Sequence, residues 1–388
     1  MEEIVSNMRV MDWCLVGALG LVWLLQCYFY IRYMCGVCRK FACAKVENQK
    51  SKVESQKSKV ESPGVSVIVC ARNEAENIDN YVQHLLRQDY PTFEVILVND
   101  SSEDETQAMM ERYAQQDPRV KLTFVPHGAR LGSTKKFGLT LGAKAAQYDL
   151  LLLTDADCCP QSTHWISTMV APFANPQVEV VLGYGAYFTN HTLLSRLIHY
   201  DTLFNGLHYL GSAQVGHPYM GVGRNLAYRK STFFDRGGFS DQMTKFAGDD
   251  DLFVNKVATA DNTAVVVGAD SLTWSAPKET WKEWIQQKRR HLSVSPSYKR
   301  VTKFRLALEP VSRALFYALL IVIGVSAMPL AWMIAGVIVV LRLMMQYIVL
   351  NKGAKVLAQQ PIGWDLVVLD IVMPVLTLCL MGKKNRAW

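Results

Sequence analysis

The stretch "LLLTDADC", residues 151–158, ends an apolar run on two carboxylates, Asp155 and Asp157, which one residue separates. Carboxylate oxygens are ligands that Mg²⁺ and Mn²⁺ prefer, and these ions complete their coordination shell with water and substrate phosphates. An Asp-x-Asp at a strand end can therefore offer one carboxylate to a divalent metal and the other to a nearby sugar or ribose. The competing interpretation is a strand end capped by polar turn residues, and this tripeptide alone does not choose between them.

Other apolar runs of the chain also end on polar residues. "VSVIVCARNE" and "FEVILVNDSS" do so, "VKLTFVPH" and "VEVVLGYGAYF" are further runs, and a helical spacing of apolar residues lies between the first two. Continuous apolar strands separated by helices indicate a mostly parallel sheet covered on both faces, and ligands bind at the carboxyl ends of its strands. Six polar residues are expected at that edge: Arg72, Asn73, Glu74, Asp100, Asp155 and Asp157.

The composition of the 388-residue chain favours an anionic partner. Half of the residues are hydrophobic and the formal net charge is +7, which suits a phosphate-bearing substrate or an acidic lipid surface. We expect no nucleic acid partner. Two nucleotide motifs are absent, because "GARLGSTKK" lacks the spacing of a P-loop and "GVGRNLA" lacks the third glycine of a dinucleotide-binding turn.

Long apolar runs flank the predicted sheet. Residues 13–31 hold no charge and are long enough to cross a bilayer, and residues 310–350 predict two more transmembrane helices. Arg342 interrupts the second of these, and we expect it to reach the membrane surface by snorkelling. Residues 364–381 are a possible third C-terminal membrane segment, although they contain Asp365 and Asp370.

Charges beside these runs predict the orientation. Arg32, Arg39, Lys40 and Lys45 follow the first run, so the positive-inside rule places that side in the cytoplasm. Strict alternation would then put "KKNR", residues 383–386, outside, which conflicts with the same rule. One C-terminal segment is therefore re-entrant or interfacial, and the sequence leaves open which one.

Six motifs then occur in the order seen in membrane-bound family 2 glycosyltransferases: "SVIVCARNEAENI", "EVILVNDSSEDET", "LLLTDADC", "GVGRNLAYRK", "GDDDLFVN" and "QKRRH". The chain resembles that family, including its polysaccharide synthase-type members. The resemblance implies an α/β fold of the GT-A type, a nucleotide-sugar-binding domain with flanking transmembrane helices. The expected organisation is an N-terminal segment (1–12), a transmembrane helix (13–31), a basic juxtamembrane segment with a "QKSKVES" repeat linker (32–63), the GT-A domain (64–305) and the C-terminal segments (310–350 and 364–381).

The resemblance also implies roles for individual residues. Asp157 would bind a divalent metal, Mg²⁺ or Mn²⁺, and Asp250 would be the general base with Asp249 beside it. Donor-binding residues would be Ala71, Arg72, Asn73, Glu74, Asp100, Lys135, Lys136, Asp155, Gln287 and Arg290. The acceptor side would hold Gly221, Gly223, Arg224, Asn225 and His291, with His291 standing where the family's Q-x-x-R-W motif has tryptophan.

The expected activity is transfer of a sugar, with inversion, from a nucleotide donor, UDP in the first instance, to a hydroxyl of a glycan or lipid-linked acceptor. The expected location is the cell (inner) membrane, with membrane lipids as partners, several spans and a cytoplasmic catalytic domain. Two alternatives stay open: a nucleotidyl- or phosphotransferase on a similar scaffold, and a noncatalytic subunit of a glycan assembly complex.

Overall fold

Parallel strands form the centre of the larger sheet in the computed structural model, which describes residues 10–38, 62–126, 133–245, 247–326 and 328–381. The strands of this sheet and of a smaller one are β1 (Val65–Ala71), β2 (Phe93–Asn99), β3 (Val120–Phe124), β4 (Leu150–Asp155), β5 (Cys158–Pro160), β6 (Val180–Leu182), β7 (Gly185–Tyr187), β8 (Leu226–Arg229), β9 (Thr263–Val265) and β10 (Thr273–Ser275). The larger sheet has the order β3-β2-β1-β4-β8-β6-β9, and the smaller one has the order β5-β10-β7.

Helices lie between these strands and at both ends of the described chain. The α-helices are α1 (Val10–Phe29), α2 (Ala75–Leu86), α3 (Thr106–Gln116), α4 (Thr134–Ala145), α5 (Trp165–Val170), α6 (Leu193–Gln214), α7 (Lys230–Asp235), α8 (Asp251–Val257), α9 (Trp281–Leu292), α10 (Arg300–Ser326), α11 (Pro329–Val356) and α12 (Asp365–Met381). A π-helical turn, Tyr30–Met34, continues α1. The repeat linker and the basic residues 39–45 lie outside the described residues, as do residues 383–386.

Helices cover both faces of the central strands, which explains their unbroken apolar sequences. Ile68 and Val98 pack with Leu139 of α4 on one face. Val67 and Leu97 belong to a second core on the other face, together with Ile78 of α2. Side chains alternate across a strand, so a strand buried on both faces must be apolar at every position. The predicted α/β fold with a mainly parallel sheet is confirmed.

The run "VEVVLGYGAYF" is two strands rather than the single strand that its sequence predicts. Residues 180–182 pair with β8 and β9 in the large sheet, whereas residues 185–187 pair with β10 in the small one. The chain changes sheets at Gly183, where an added Cβ would lie 2.6 Å from the Asn225 side chain. Glycine is therefore required at the crossing because any larger residue would collide with Asn225.

Within the described residues, three helices are long and apolar enough to cross a membrane, by length and composition: Val10–Cys38, Arg300–Val325 and Pro329–Val356. They run beyond the predicted limits, because the charged ends of α10 and α11 continue the same helices. The apolar helix α12 has 17 residues and packs against α9 and α11.

Charged side chains meet in the interior of this helical bundle. Arg342 of α11 is 1% exposed and forms an ion pair with Asp370 of α12. Asp370 also lies 3.3 Å from Arg313 of α10, which pairs with Glu309. The prediction that Arg342 snorkels to the surface is therefore wrong. Its guanidinium stays buried because two arginines and two acids together carry no net charge.

Candidate active site

The carboxyl ends of β1, β2 and β4 lie level with one another. Ala71 pairs with Asn99 across β1 and β2, and Cys70 pairs with Asp155 across β1 and β4. The backbone amide of Asp100 donates to the carbonyl of Ala71 over 2.8 Å, which joins the first two strand ends. The polar residues that follow these strands therefore share one edge of the sheet, as the sequence pattern requires.

Asn73 organises the loop beyond β1. Its backbone has φ of 55°, a left-handed conformation that asparagine tolerates better than most residues. Its side-chain oxygen accepts a hydrogen bond from the backbone amide of Glu103 at 2.8 Å, and its backbone amide donates to the Ser102 hydroxyl. Asn73 therefore holds the β1 and β2 loops together, while Arg72 is exposed at the edge of the cleft.

Asp100 presents an unused acceptor at the strand edge. Its Oδ2 accepts a hydrogen bond from the Thr134 hydroxyl at 2.9 Å. Its Oδ1 is buried, and within the described part of the chain no donor reaches it. A buried carboxylate oxygen is costly to leave without a donor, so this atom suits an N–H or O–H of a bound nucleotide. Thr134, at the start of α4, was not anticipated, because a single threonine carries no motif.

Lys135 connects two of the predicted motifs. Its ammonium lies 2.9 Å from Asp155 of the Asp-x-Asp and 3.3 Å from Asp249 of "GDDD". Burial alone would lower the pKa of Lys135, but the two carboxylates outweigh burial and raise that pKa well above its usual range. The Asp-x-Asp and "GDDD", far apart in sequence, therefore line one cleft.

Asp155, Asp157 and Cys158 form a cluster of potential metal ligands whose donor atoms lie within 4.8 Å of one another. Burial, and next the charge of Asp155, raises the pKa of Asp157. A cation would relieve this repulsion, and Mg²⁺ and Mn²⁺ favour carboxylate oxygen. The Cys158 thiol instead lies 3.0 Å from the Ser275 hydroxyl, and burial raises its pKa, so it stays protonated. The two carboxylates fit a hard divalent cation, and the thiol does not.

Asp250 receives two backbone hydrogen bonds. The Gly223 amide donates to its Oδ2 at 2.7 Å, and the Asp251 amide donates to its Oδ1 at 2.8 Å. Burial, and then the neighbouring charge of Asp249, raises the pKa of Asp250 to about 6. Asp250 also caps the N-terminus of α8, a position at which an acidic side chain stabilises a helix. A carboxylate with this pKa is suited to accept a proton near neutral pH.

Helix α9 forms the wall above the small sheet. Its first turn has a capping box between Thr280 and Glu283. Gln287 donates to the hydroxyl of Tyr187 at 3.1 Å, and the Arg224 guanidinium lies 4.0 Å from the ring centre of Tyr187. Tyr187 was missed in the sequence, where it is only the end of an apolar run. Burial raises the pKa of Asp155, but positive charges outweigh burial and lower that pKa. Lys135 contributes most of this effect, and Arg290 adds to it.

Not every predicted site residue faces this cleft. Asn225 is fully buried: its amide oxygen accepts from Trp165, and its nitrogen donates to the carbonyls of Tyr184 and Ser271. Gly221 packs among apolar side chains, the nearest being Leu226. Both residues occupy supporting positions in the interior, and their role on the acceptor side stays a prediction.

Lys136 is fully buried, and its ammonium donates to three backbone carbonyls instead of facing the cleft. His291 lies exposed near the end of α9.

A sequence model for glycosyl transferase family 21 matches residues 28–381 of the chain. The chain belongs to glycosyl transferase family 21. The resemblance noted from the motifs was to family 2, and what the match confirms is a glycosyltransferase with a GT-A-like domain. The enzyme class predicted from the sequence is thereby established.

Curated relatives match parts of this family 21 chain. "Probable glycosyltransferase YdaM" of Bacillus subtilis is 25% identical over 232 residues, 59% of this chain and 54% of that protein. The beta-monoglucosyldiacylglycerol synthase of Synechocystis sp. is 36% identical over 97 residues, 24% of this chain and 20% of the synthase. The chain thus spans about half the length, or less, of these two relatives.

A solved structure shares the fold. It is the mannosyltransferase PcManGT from Pyrobaculum calidifontis in complex with GDP-Man and Mn²⁺, with a TM-score of 0.50 and 19% identity. The match covers 89% of this chain and 99% of that one. At this identity the similarity supports the GT-A-type fold alone.

Proposed function

We propose that this glycosyltransferase moves a sugar from a nucleotide diphosphate donor, with UDP as the expected nucleotide, to a lipid or lipid-linked glycan hydroxyl at a membrane surface, with inversion. The observation that carries the proposal is the position of Lys135 between Asp155 and Asp249. Lys135 thus connects the strand edge, where we place the nucleotide, to the acidic loop that carries the base. Direct transfer requires both groups in one cleft.

Different residues of the cleft would bind the donor, accept the proton and stabilise the leaving group. Asp100 offers its free oxygen to the nucleoside, and Arg290 and Lys135 offer positive charge to the phosphates. Asp250 accepts the proton of the acceptor hydroxyl as that oxygen attacks the anomeric carbon. Asp157, with Asp155 beside it, would hold the divalent cation, which supplies charge to stabilise the departing diphosphate. One base and one direct displacement invert the anomeric configuration.

The proposed base lies close to the start of an apolar helix. Lys299, next to α10, donates its backbone amide to Asn255 of α8 at 3.1 Å. An added Cβ at Gly248, two residues before Asp250, would lie 3.0 Å from Val294. The loop that carries the base therefore contacts the segment leading into α10, which supports an acceptor hydroxyl delivered at the membrane surface.

The ends of the long apolar helices support the orientation of the domain. The helix ends nearest the catalytic domain are basic: the π-helical turn after α1 carries Arg32, the start of α10 carries Arg300 and Lys303, and the end of α11 carries Lys352 and Lys355. The π-helical turn after α1 and the end of α11 both contact α6 of that domain. By the positive-inside rule, we infer that all three helices cross the membrane and that the catalytic domain is cytoplasmic.

The test is a screen of UDP- and GDP-sugars with the full-length protein in lipid nanodiscs, with Mg²⁺ or Mn²⁺ present. We expect release of a nucleoside diphosphate that rises when an acceptor lipid is incorporated in the nanodisc. Release of pyrophosphate would support a nucleotidyltransferase instead. Transfer only to a water-soluble oligosaccharide would overturn the membrane acceptor, and no turnover of any donor would overturn the proposed function.

A further inference from the structure

Lys136 is a buried cation whose three donors are all occupied by the backbone. Its side chain is fully buried, and its Nζ donates to the carbonyls of Gln242, Lys245 and Ala247 at 2.9, 2.8 and 2.8 Å. An ammonium group has three N–H donors, so these bonds use its full capacity. Burying such a charge is costly without this compensation, and the three bonds therefore indicate a specific role.

The three carbonyls belong to the segment that delivers the proposed base. After a short 3-10 turn, Ser240–Gln242, the segment leads to Gly248, Asp249 and Asp250. Gly248 has φ of 88°, which turns the chain abruptly into the acidic residues. Between that turn and α8 the described residues form no helix or strand, and the Lys136 ammonium donates to three of their backbone carbonyls.

Lys135 and Lys136 contact the same loop, one at a side chain and the other at backbone carbonyls. Lys135 reaches the side chain of Asp249, while Lys136 reaches the carbonyls that precede it. Successive helix residues point about 100° apart, so neighbouring lysines at the start of α4 approach the loop from two directions. Ser133 fixes this helix start, because its hydroxyl accepts a hydrogen bond from the Lys136 amide.

We propose that Lys136 is a positioning residue for the general base: it holds the backbone carbonyls of Gln242, Lys245 and Ala247 and thereby places Asp250, without touching the donor. This inference rests on the proposed role of Asp250. It differs from the sequence expectation, in which Lys136 binds the donor diphosphate. The two roles predict different kinetics, because a positioning residue affects the rate of transfer and a donor ligand also affects nucleotide affinity.

The experiment compares Lys136→Met with Lys144→Met, a change of an exposed lysine on the same helix. Both variants are prepared as full-length protein in nanodiscs and assayed with the donor that the wild type uses. We expect kcat of Lys136→Met to fall by about a hundredfold, the effect of moving a catalytic group by about 1 Å. The affinity for UDP, measured by calorimetry with metal present, should stay within about twofold of the wild type. Lys136→Arg, which keeps the charge and the donors, should recover part of the rate.

An unchanged kcat in Lys136→Met would overturn the proposal, and so would a parallel loss of UDP affinity and rate. Should the Met variant not fold, Lys136→Gln, which retains two donors, is measured by the same criteria. The wild-type assay separates this result from the proposed function. A wild type that releases no nucleoside diphosphate from any donor refutes the function, whereas an active wild type beside an equally active Met variant refutes only the role of Lys136.

Discussion

The backbone amide of Gly223 donates a hydrogen bond to Oδ2 of Asp250 over 2.7 Å. This contact joins the "GVGRN" loop to the acidic "GDDD" loop. Each oxygen of Asp250 accepts one backbone amide, at Gly223 or Asp251, which leaves further lone pairs for an acceptor hydroxyl. The carboxylate is thus oriented before any substrate binds, and this preorganisation favours proton transfer.

Replacing Asp250 by Asn should abolish most transfer while leaving the nucleotide bound. The amide keeps the shape of the side chain but cannot take a proton, and loss of a general base costs roughly 10²–10⁴ in rate. The measurement is nucleotide release together with calorimetric binding of UDP. Asp270→Asn, an exposed change, is the control. If Asp249→Asn shows the loss and Asp250→Asn does not, the base is one residue earlier than we assign it.

The pH dependence of transfer should report the same carboxyl. Burial and the charge of Asp249 raise the pKa of Asp250 to about 6, so the ionised base accumulates as pH rises through that value. We expect kcat to increase from pH 5 to about pH 7 and then level off. In Asp249→Asn, removal of the neighbouring negative charge lowers the pKa of Asp250, and the acid limb should move to lower pH. A limb that moves upward, or no limb, would contradict the assignment.

Metal dependence should follow the carboxylates and not the thiol. Asp157→Ala should remove Mn²⁺-dependent turnover and weaken Mn²⁺ binding in the presence of UDP, because the site loses an oxygen ligand. Cys158→Ser should retain both, since the protonated thiol fits a hard cation poorly. Calorimetric metal titration and the transfer assay give the two readouts. Full activity of the wild type in excess chelator would contradict a metal requirement.

Arg290 should not be replaceable by lysine. The guanidinium offers a planar fork that matches phosphate oxygens, whereas an ammonium is a point charge. Losing one charge-assisted hydrogen bond should lower kcat/KM by about tenfold to a hundredfold in Arg290→Lys. Arg236→Lys, an exposed arginine outside the cleft, controls for the general effect of the change. Equal rates for both variants would show that Arg290 contributes only to a basic surface.

The buried ion pair between Arg342 and Asp370 should behave as a unit. Asp370→Asn or Arg342→Gln leaves one charge uncompensated among buried groups, which costs about 3–5 kcal/mol. The double variant restores neutrality, because Arg313 keeps Glu309, and should recover most of the thermal stability in detergent. Asp365→Asn on the same helix is the control, since its ion pair with Arg196 is exposed. A double variant less stable than both single variants would contradict this interpretation.

The polar residues at the edge of the sheet could be predicted from the sequence, because their position depends only on where each apolar run ends. Apolar runs that end on Asp100 or Asp155 place those residues at strand ends, and parallel strands bring such ends together. The motifs then identified the acidic loop and helix α9. The direction in which each side chain points was less predictable. Adjacent lysines, 135 and 136, look equivalent in sequence, yet one faces the cleft and the other is buried beneath the base loop.

Contacts between distant segments also escaped prediction. Asn225 belongs to a glycine-rich motif that indicates a cleft, but Trp165 and two carbonyls occupy its amide. Arg342 has its partner 28 residues away on another helix, so its own sequence neighbourhood suggested only that it would reach the surface. In both cases the partner lies outside the local sequence pattern, so the pattern did not indicate the contact.

Asp370 is synthesised after the three charged residues with which it shares the interior of the helical bundle. Glu309, Arg313 and Arg342 leave the ribosome before Asp370, and these three side chains carry one excess positive charge. Until α12 docks, α10 and α11 hold an arginine that lacks its counter-ion in an apolar environment, which disfavours a settled bundle. Docking of α12 therefore supplies the missing counter-charge. A chain cut before residue 370 would keep an uncompensated arginine among buried groups, so we expect its bundle to be less stable.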